Sequence, residues 1–113
     1  MVMRKQGKLP EARALYEAVL EAQEVQLGPN HPDTLDTKDN LAMVMRKQGK
    51  LPEARALYEA VLEAQEVQLG PNHPSTLGTK NNLAVVMMDQ GELPEARALY
   101  EAVLEAQEVQ LGP

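Results

Sequence analysis

The residues that could do chemistry are few, and they recur at one fixed spacing. His31 and His73 lie 42 residues apart, each before a proline, and two imidazoles could share a metal ion. Zinc sites need further ligands, and no set of carboxylates accompanies these histidines. Ser75 is the only serine, and neither a nucleophile elbow nor a Gly-rich phosphate loop surrounds it. We therefore predict no metal site and no cofactor, and we assign both histidines a capping or packing role.

Paired carboxylates and tyrosines also have a structural interpretation. Glu17 and Glu21 stand one helical turn apart, but they fall on the polar side of a predicted helix, which indicates a solvated surface. Tyr16, Tyr58 and Tyr100 fall in an apolar stripe, and we predict that they belong to the core with the hydroxyl at a polar edge. The sequence therefore predicts that the chain is not an enzyme.

Composition and charge exclude several classes of partner. The chain has no cysteine, which fits a reducing compartment, and we predict a cytoplasmic location. A net charge of −6 argues against binding to nucleic acid, which requires a basic face. The longest apolar run, residues 83–88, is too short to span a bilayer, and the start MVMRKQGKLP lacks the apolar core of a signal peptide. We predict neither a nucleic-acid partner nor a membrane partner.

A repeat of 42 residues organises the whole chain. The segment LPEARALYEAVLEAQEVQLGP begins at Leu9, Leu51 and Leu93. Residues 1–71 and residues 43–113 differ at only seven positions, and this identity indicates recent duplication or deliberate construction. We predict a single repeat array over residues 1–113, with a partial repeat at 1–29 and full repeats at 30–71 and 72–113.

Each full repeat is predicted to form two helices. Pro32 and Asp33 suit the start of a first helix, and Gly49 suits the left-handed residue that follows its end. Pro52 begins the second helix and Gly70 ends it. The predicted fold class is all-α, and the predicted helices lie at about residues 10–27, 32–48, 52–69, 74–90 and 94–111, preceded by the back half of another at 1–6.

The motif NLAxVxxxQGxLPEAxxLYExxLE resembles the tetratricopeptide repeat, with its turn glycine, its early alanine in the second helix and an aromatic residue four positions later. That repeat usually has a period of about 34 residues. The pattern LGPNHPDTLxTKxNLA…QGKLPEA resembles the 42-residue variant of kinesin light chains and of arrays in fungal and bacterial NOD-like proteins. The resemblance implies a right-handed α-solenoid of antiparallel helix hairpins that acts as a protein–protein interaction scaffold, with a concave ligand face formed by the first helices.

The positions where the two full repeats differ step by three or four along the first helix. They are Asp33/Ser75, Asp36/Gly78, Asp39/Asn81, Met43/Val85, Arg46/Met88 and Lys47/Asp89, followed by Lys50/Glu92 in the turn. Constant apolar residues fall on the opposite side, where they would pack. One interpretation is a binding face that has diverged, and the other is neutral drift or a construction choice. The exposed charges of the second helices do not differ, which favours the first interpretation.

The predicted ligand face combines charges with apolar, deformable methionines, a mixture that suits an extended or helical peptide better than a phosphate backbone. The two asparagines of this face could hold a peptide backbone or could bond between helices, and both interpretations stay open. The predicted ligand-binding residues are Arg4, Lys5, Asp36, Asp39, Asn40, Met43, Arg46, Lys47, Gly78, Asn81, Asn82, Val85, Met88 and Asp89.

The two ends of the chain carry no polar capping element of the kind that finishes most repeat arrays. The sequence starts inside a predicted helix and stops after an unmodified repeat, which predicts a piece of a longer array. Uncovered repeat surfaces predict head-to-tail self-association. The alternative function is therefore a structural module that stacks end to end and has no dedicated ligand.

Overall fold

The computed structural model describes the backbone of residues 2–111 and the side chains of residues 8–110. Five helices account for this part of the chain, which contains no strand: α1 (Val2–Gln26), α2 (Pro32–Lys47), α3 (Leu51–Gln68), α4 (Pro74–Asp89) and α5 (Leu93–Leu111). Helices α2 and α4 are the first helices of the two full repeats, and α1, α3 and α5 contain the second-helix sequence.

Histidine caps explain where the first helices begin. The Nδ1 atom of His31 accepts a hydrogen bond from the backbone N–H of Asp33 at 3.1 Å, and Pro32 occupies the first helical turn. The Nδ1 atom of His73 accepts in the same way from Ser75 N–H at 3.1 Å. Such a cap satisfies a backbone donor that has no partner within the helix. The predicted capping role of both histidines is confirmed.

Glycine ends the first helices in a left-handed conformation. Gly49 has φ +83°, and its N–H donates to Arg46 C=O at 2.9 Å. The N–H of Lys50 donates to Met45 C=O at 2.8 Å. This pair of bonds is the Schellman arrangement, which satisfies the last carbonyls of α2 and turns the chain toward α3.

Helix α1 differs from the predicted boundaries. A half helix at 1–6 and a new helix from residue 10 were expected, but α1 runs without a break from Val2 to Gln26 and contains Pro10. The segment QGKLP is helical throughout at residues 6–10, whereas at residues 48–52 it contains the turn between α2 and α3. Because the two segments are identical, tertiary surroundings decide between turn and helix, and this boundary prediction is wrong.

The chain divides into two compact units, Met1–Leu57 and Tyr58–Pro113, which we call unit 1 and unit 2. In unit 1, α1 packs against α2, and in unit 2, α4 packs against α5. Buried Leu77 of α4 forms an apolar cluster there with Val103 and Ala106 of α5. The unit boundary falls inside α3, and the predicted repeat boundaries stay a prediction.

The constant apolar residues of the first helices make up a large part of the core. On α2 the buried apolar residues are Leu35, Leu41, Ala42, Val44 and Met45, and on α4 they are Leu77, Leu83, Ala84, Val86 and Met87. The packing side of each first helix was therefore correctly predicted.

The three tyrosines of the second helices differ in burial. Tyr58 is buried as predicted, whereas Tyr16 and Tyr100 are only half-buried although their local sequence is the same.

Candidate functional site

None of the seven positions that differ between the repeats is buried. In unit 1, Asp36, Met43 and Lys47 are exposed on α2, and Asp39 and Arg46 are half-buried. The remaining two differing positions of unit 1, Asp33 and Lys50, are exposed at the helix ends. The differences therefore leave the buried positions unchanged and alter only unburied positions of the first helix and of the turn that follows it.

The α2 face places charge beside a hydrophobic side chain. Met43 is 37% exposed, and the exposed Asp36, Asn40 and Lys47 lie on the same side of the helix. Asp39 and Arg46 already interact with other groups of the protein. The exposed face of α2 can thus offer an anion, a cation, an amide and a thioether to a partner.

The α4 face of unit 2 has a different chemistry. Met88 is 48% exposed, and the adjacent Asp89 is exposed as well. Asn82 and Gly78 are exposed nearer the start of α4. The remaining predicted residues of this face, Asn81 and Val85, are half-buried. This face lacks the cation that Lys47 supplies on α2, and glycine replaces the acid Asp36.

Two predicted basic residues cannot be placed. The side chains of Arg4 and Lys5 lie outside the described residues, although the backbone at both positions belongs to α1. The predicted ligand-binding role of Arg4 and Lys5 therefore stays a prediction.

The constant lysine of each first helix has a structural role. Lys38 Nζ donates to Pro29 C=O at 3.1 Å and lies 3.6 Å from Glu24 Oε2. In unit 2, Lys80 Nζ donates to Pro71 C=O at 3.3 Å and lies 3.7 Å from Glu66 Oε2. These lysines tie the first helix to the preceding second helix and its loop, and they are identical in both repeats, unlike the exposed Asp36 and Lys47.

A polar cluster that joins α1 to the turn after α2 was not predicted from the sequence. Arg13 Nη1 donates to Gln48 Oε1 at 3.2 Å, and Arg13 Nη2 lies 3.8 Å from Glu53 Oε2. Its Nε also pairs with Glu17 Oε2 at 3.2 Å. The recurring spacing of arginine and glutamate was visible in the sequence, but the contact with Gln48 joins residues 35 positions apart.

A cavity of about 430 Å³ opens beside α5 in unit 2. Its floor is apolar, and the charged pair Arg97 and Glu101 lies at its edge, with Arg97 Nε 3.2 Å from Glu101 Oε2. The lining residues are Met88, Leu93, Ala96, Arg97, Tyr100 and Glu101. The exposed apolar flank of a second helix was predicted from the sequence, whereas the cavity was not.

Metal and membrane chemistry find no support in the part of the chain that the structure describes. Among its side chains, no cluster of three or more histidine, aspartate or glutamate residues could hold a metal ion. Within the same residues, no helix combines the length and apolar character needed to cross a bilayer. The cytoplasmic location stays a prediction.

Comparison with known proteins identifies the repeat. A sequence profile described as "Tetratricopeptide repeat" matches residues 1–62 and 34–108. A search of curated proteins gave no match.

Solved structures similar to this chain include two of a kinesin light chain from Podosopora anserina with nearly identical TPR-like repeats, the second being a variant with a single substitution. Both have a TM-score of 0.84, at 33% and 34% identity, and the match covers 91% of this chain. BtubC (BKLC) from P. vanneervenii matches over 88% of the chain, with a TM-score of 0.82 and 23% identity, which shows the fold alone. The chain spans 49% of the length of the first two structures and 39% of the third.

These matches confirm the predicted all-α solenoid class and the resemblance to kinesin-light-chain repeats. Repeats of this kind are generally non-enzymatic scaffolds for protein interaction. The chain belongs to the tetratricopeptide-repeat family.

Proposed function

We propose that this chain binds a peptide or protein segment through the outward faces of its first helices, α2 and α4. The observation that carries the proposal is the location of the differences between repeats. All seven occur at unburied positions of the first helix or its ends, while the rest of each repeat is identical.

Exposure by itself does not explain where the repeats differ. On α3 the side chains of Glu63 and Val67 are exposed, and each is identical in the corresponding position of the next repeat. Drift at unconstrained surface positions would have changed both kinds of helix. Selection for different ligand contacts on α2 and α4 accounts for changes on the first helices alone.

The exposed groups indicate the class of ligand. Met43 and Met88 can adapt to apolar side chains of different shapes, because the thioether side chain is unbranched and polarizable. Asp36 and Lys47 flank Met43 on α2 and would select a partner with complementary charges. A peptide with an apolar anchor between charged residues fits the α2 face.

A charge exchange tests this proposal. Peptides would first be selected from a displayed random library on the wild-type chain, and their affinities measured by fluorescence anisotropy. The double variant Asp36→Lys with Lys47→Glu keeps the net charge, and we expect it to weaken binding roughly tenfold, or about 1.4 kcal/mol.

The matched control exchanges two exposed charges of α1 in the same unit, Lys8→Glu with Glu11→Lys. This control should bind the selected peptides as the wild type does, and circular dichroism should show that both variants remain helical. Equal affinity in all three proteins would contradict binding at the α2 face.

A second candidate function is end-to-end self-association, which the exposed apolar residues of α5 favour. Leu93 is 59% exposed and Leu104 is 58% exposed. We expect the sedimentation coefficient of the chain to rise with concentration in the high micromolar range, and Leu104→Asp to abolish that rise. A strictly monomeric profile of the wild type at those concentrations would refute self-association.

A further inference from the structure

Gly78 is a glycine that helix α4 does not require. It is the fifth residue of α4, and it is exposed. The glycines at positions 28, 49, 70 and 91 have φ between +83° and +95°, a conformation that other residues rarely adopt. Gly78 has no such φ, and a Cβ added to it would meet nothing within 4 Å. Neither the backbone conformation nor packing within the described residues therefore explains this glycine.

Glycine at this position lowers the stability of the helix. A glycine inside a helix is less favourable than alanine, because it loses more conformational freedom when the chain folds. The corresponding residue of α2 is Asp36, which is also exposed, so the repeat accepts a side chain here. Proteins give up stability in this way mainly at positions that are used for function.

The exposure of Gly78 follows from the direction of the buried side of α4. Leu77 is 3% exposed and Thr79 is 1% exposed. These two residues lie about 100° to either side of Gly78 around the helix, so Gly78 faces away from the packed side. The exposed backbone at Gly78 belongs to the same α4 face as the other predicted ligand-binding residues of unit 2. We call this exposed backbone the glycine gap.

The neighbouring Asn82 indicates what kind of chain could enter the glycine gap. Asn82 is exposed one turn after Gly78, on the same side of α4 and roughly 6 Å further along the axis. Its amide both donates and accepts, which matches a peptide group whose N–H and C=O are not yet bonded. An extended chain advances about 3.3 Å per residue, so peptide groups two residues apart match this separation. A helical ligand bonds its own backbone groups internally and would gain nothing from the amide.

We propose that the backbone of an extended peptide segment packs directly on α4 at the glycine gap, with one of its peptide groups bonded to Asn82. The proposal rests on the proposed function and names the ligand class of the α4 face. On α2 the Asp36 side chain fills the corresponding space and offers a charge instead. The two faces therefore bind in different ways, since α2 contacts charged side chains and α4 contacts the main chain of the ligand.

The substitution Gly78→Ala tests this proposal because it changes stability and binding in opposite directions. With peptides selected on the wild-type chain and affinity measured by fluorescence anisotropy, we expect binding to weaken roughly tenfold or more, since the added methyl group occupies the space of the peptide backbone. The urea midpoint of the same variant should rise, because alanine is the better helix former. A purely structural role of Gly78 would raise the midpoint and leave the affinity unchanged.

The matched control is Gly70→Ala, the same substitution at a glycine with φ +95° before α4. It should lower the urea midpoint and leave peptide affinity unchanged. Equal loss of affinity in both variants would overturn the proposal, because affinity would not depend on the glycine gap. Full affinity of Gly78→Ala, beside weakened binding by the Asp36→Lys with Lys47→Glu chain, would overturn the glycine gap alone. Full affinity of both chains would overturn the proposed function as well.

Discussion

Replacing Tyr58 by alanine is expected to lower the free energy of unfolding by about 3–5 kcal/mol, the usual loss for a large buried aromatic side chain. Tyr58 is only 2% exposed, so its removal leaves a cavity that the surrounding helices can fill only in part. Small domains have unfolding free energies of roughly 5–15 kcal/mol, so this loss is a large share of the total. Urea denaturation followed by circular dichroism at the helical band measures it.

Tyr100→Ala is the matched control, because the residues around Tyr58 and Tyr100 are identical over the whole second helix. Tyr100 is half-buried, so the expected loss is about 1–2 kcal/mol, in proportion to the smaller apolar area that it buries. If both variants lost the same free energy, the difference in burial between α3 and α5 would have no energetic consequence, and the expectation would be wrong.

Replacing Thr76 by valine is expected to raise the free energy of unfolding by about 1–3 kcal/mol, the cost of burying a hydroxyl without a compensating hydrogen bond. Thr76 is fully buried on α4, and its Oγ1 has no hydrogen-bond partner among the described residues. Valine has nearly the same shape and no polar atom. The increase would appear as a higher urea midpoint with an unchanged slope.

Thr79→Val on the same helix is expected to change the free energy of unfolding in the opposite direction. Thr79 is also buried, but its Oγ1 donates to Ser75 C=O at 3.3 Å. Loss of that bond should lower stability by roughly 0.5–1.5 kcal/mol. A stabilising effect of both substitutions would mean that valine is simply the better residue at buried sites of this helix, and the account of the orphan hydroxyl would fail.

The unpartnered hydroxyl could not have been found from the sequence. Thr76 and Thr79 are both buried and lie one turn apart, and Thr34 and Thr37 repeat the pair on α2. Thr34 Oγ1 is likewise unpartnered, whereas Thr37 Oγ1 donates to Asp33 C=O at 3.2 Å. Which hydroxyl finds an acceptor depends on side-chain direction and on the packed neighbours, which residue type and spacing do not specify.

Local signals in the sequence were enough to determine most of the helices. Histidine followed by proline starts α2 and α4, because the histidine side chain accepts a hydrogen bond from a backbone N–H near the helix start. Glycine ends both helices, because it adopts the left-handed backbone conformation that the turn requires. Both signals depend only on residues that are close in the sequence. The apolar spacing also identified the buried side of each first helix. The outward position of Asp36, Met43 and Lys47 followed from that spacing, and so did the candidate face.

Some identical segments of the repeats differ in secondary structure or burial, and these differences were decided by the tertiary structure alone. Residues 6–10 are helical throughout and residues 48–52 include a turn, although both read QGKLP. Arg13 reaches Gln48 and is largely covered, while Arg97 is exposed beside the cavity of α5. Burial and pairing depend on helices that are distant in the chain, so a repeated sequence cannot specify them for each copy. The sequence by itself determined a helical repeat and the unburied side of its first helix, whereas the packing of neighbouring helices decided how far each copy of a repeated residue is buried.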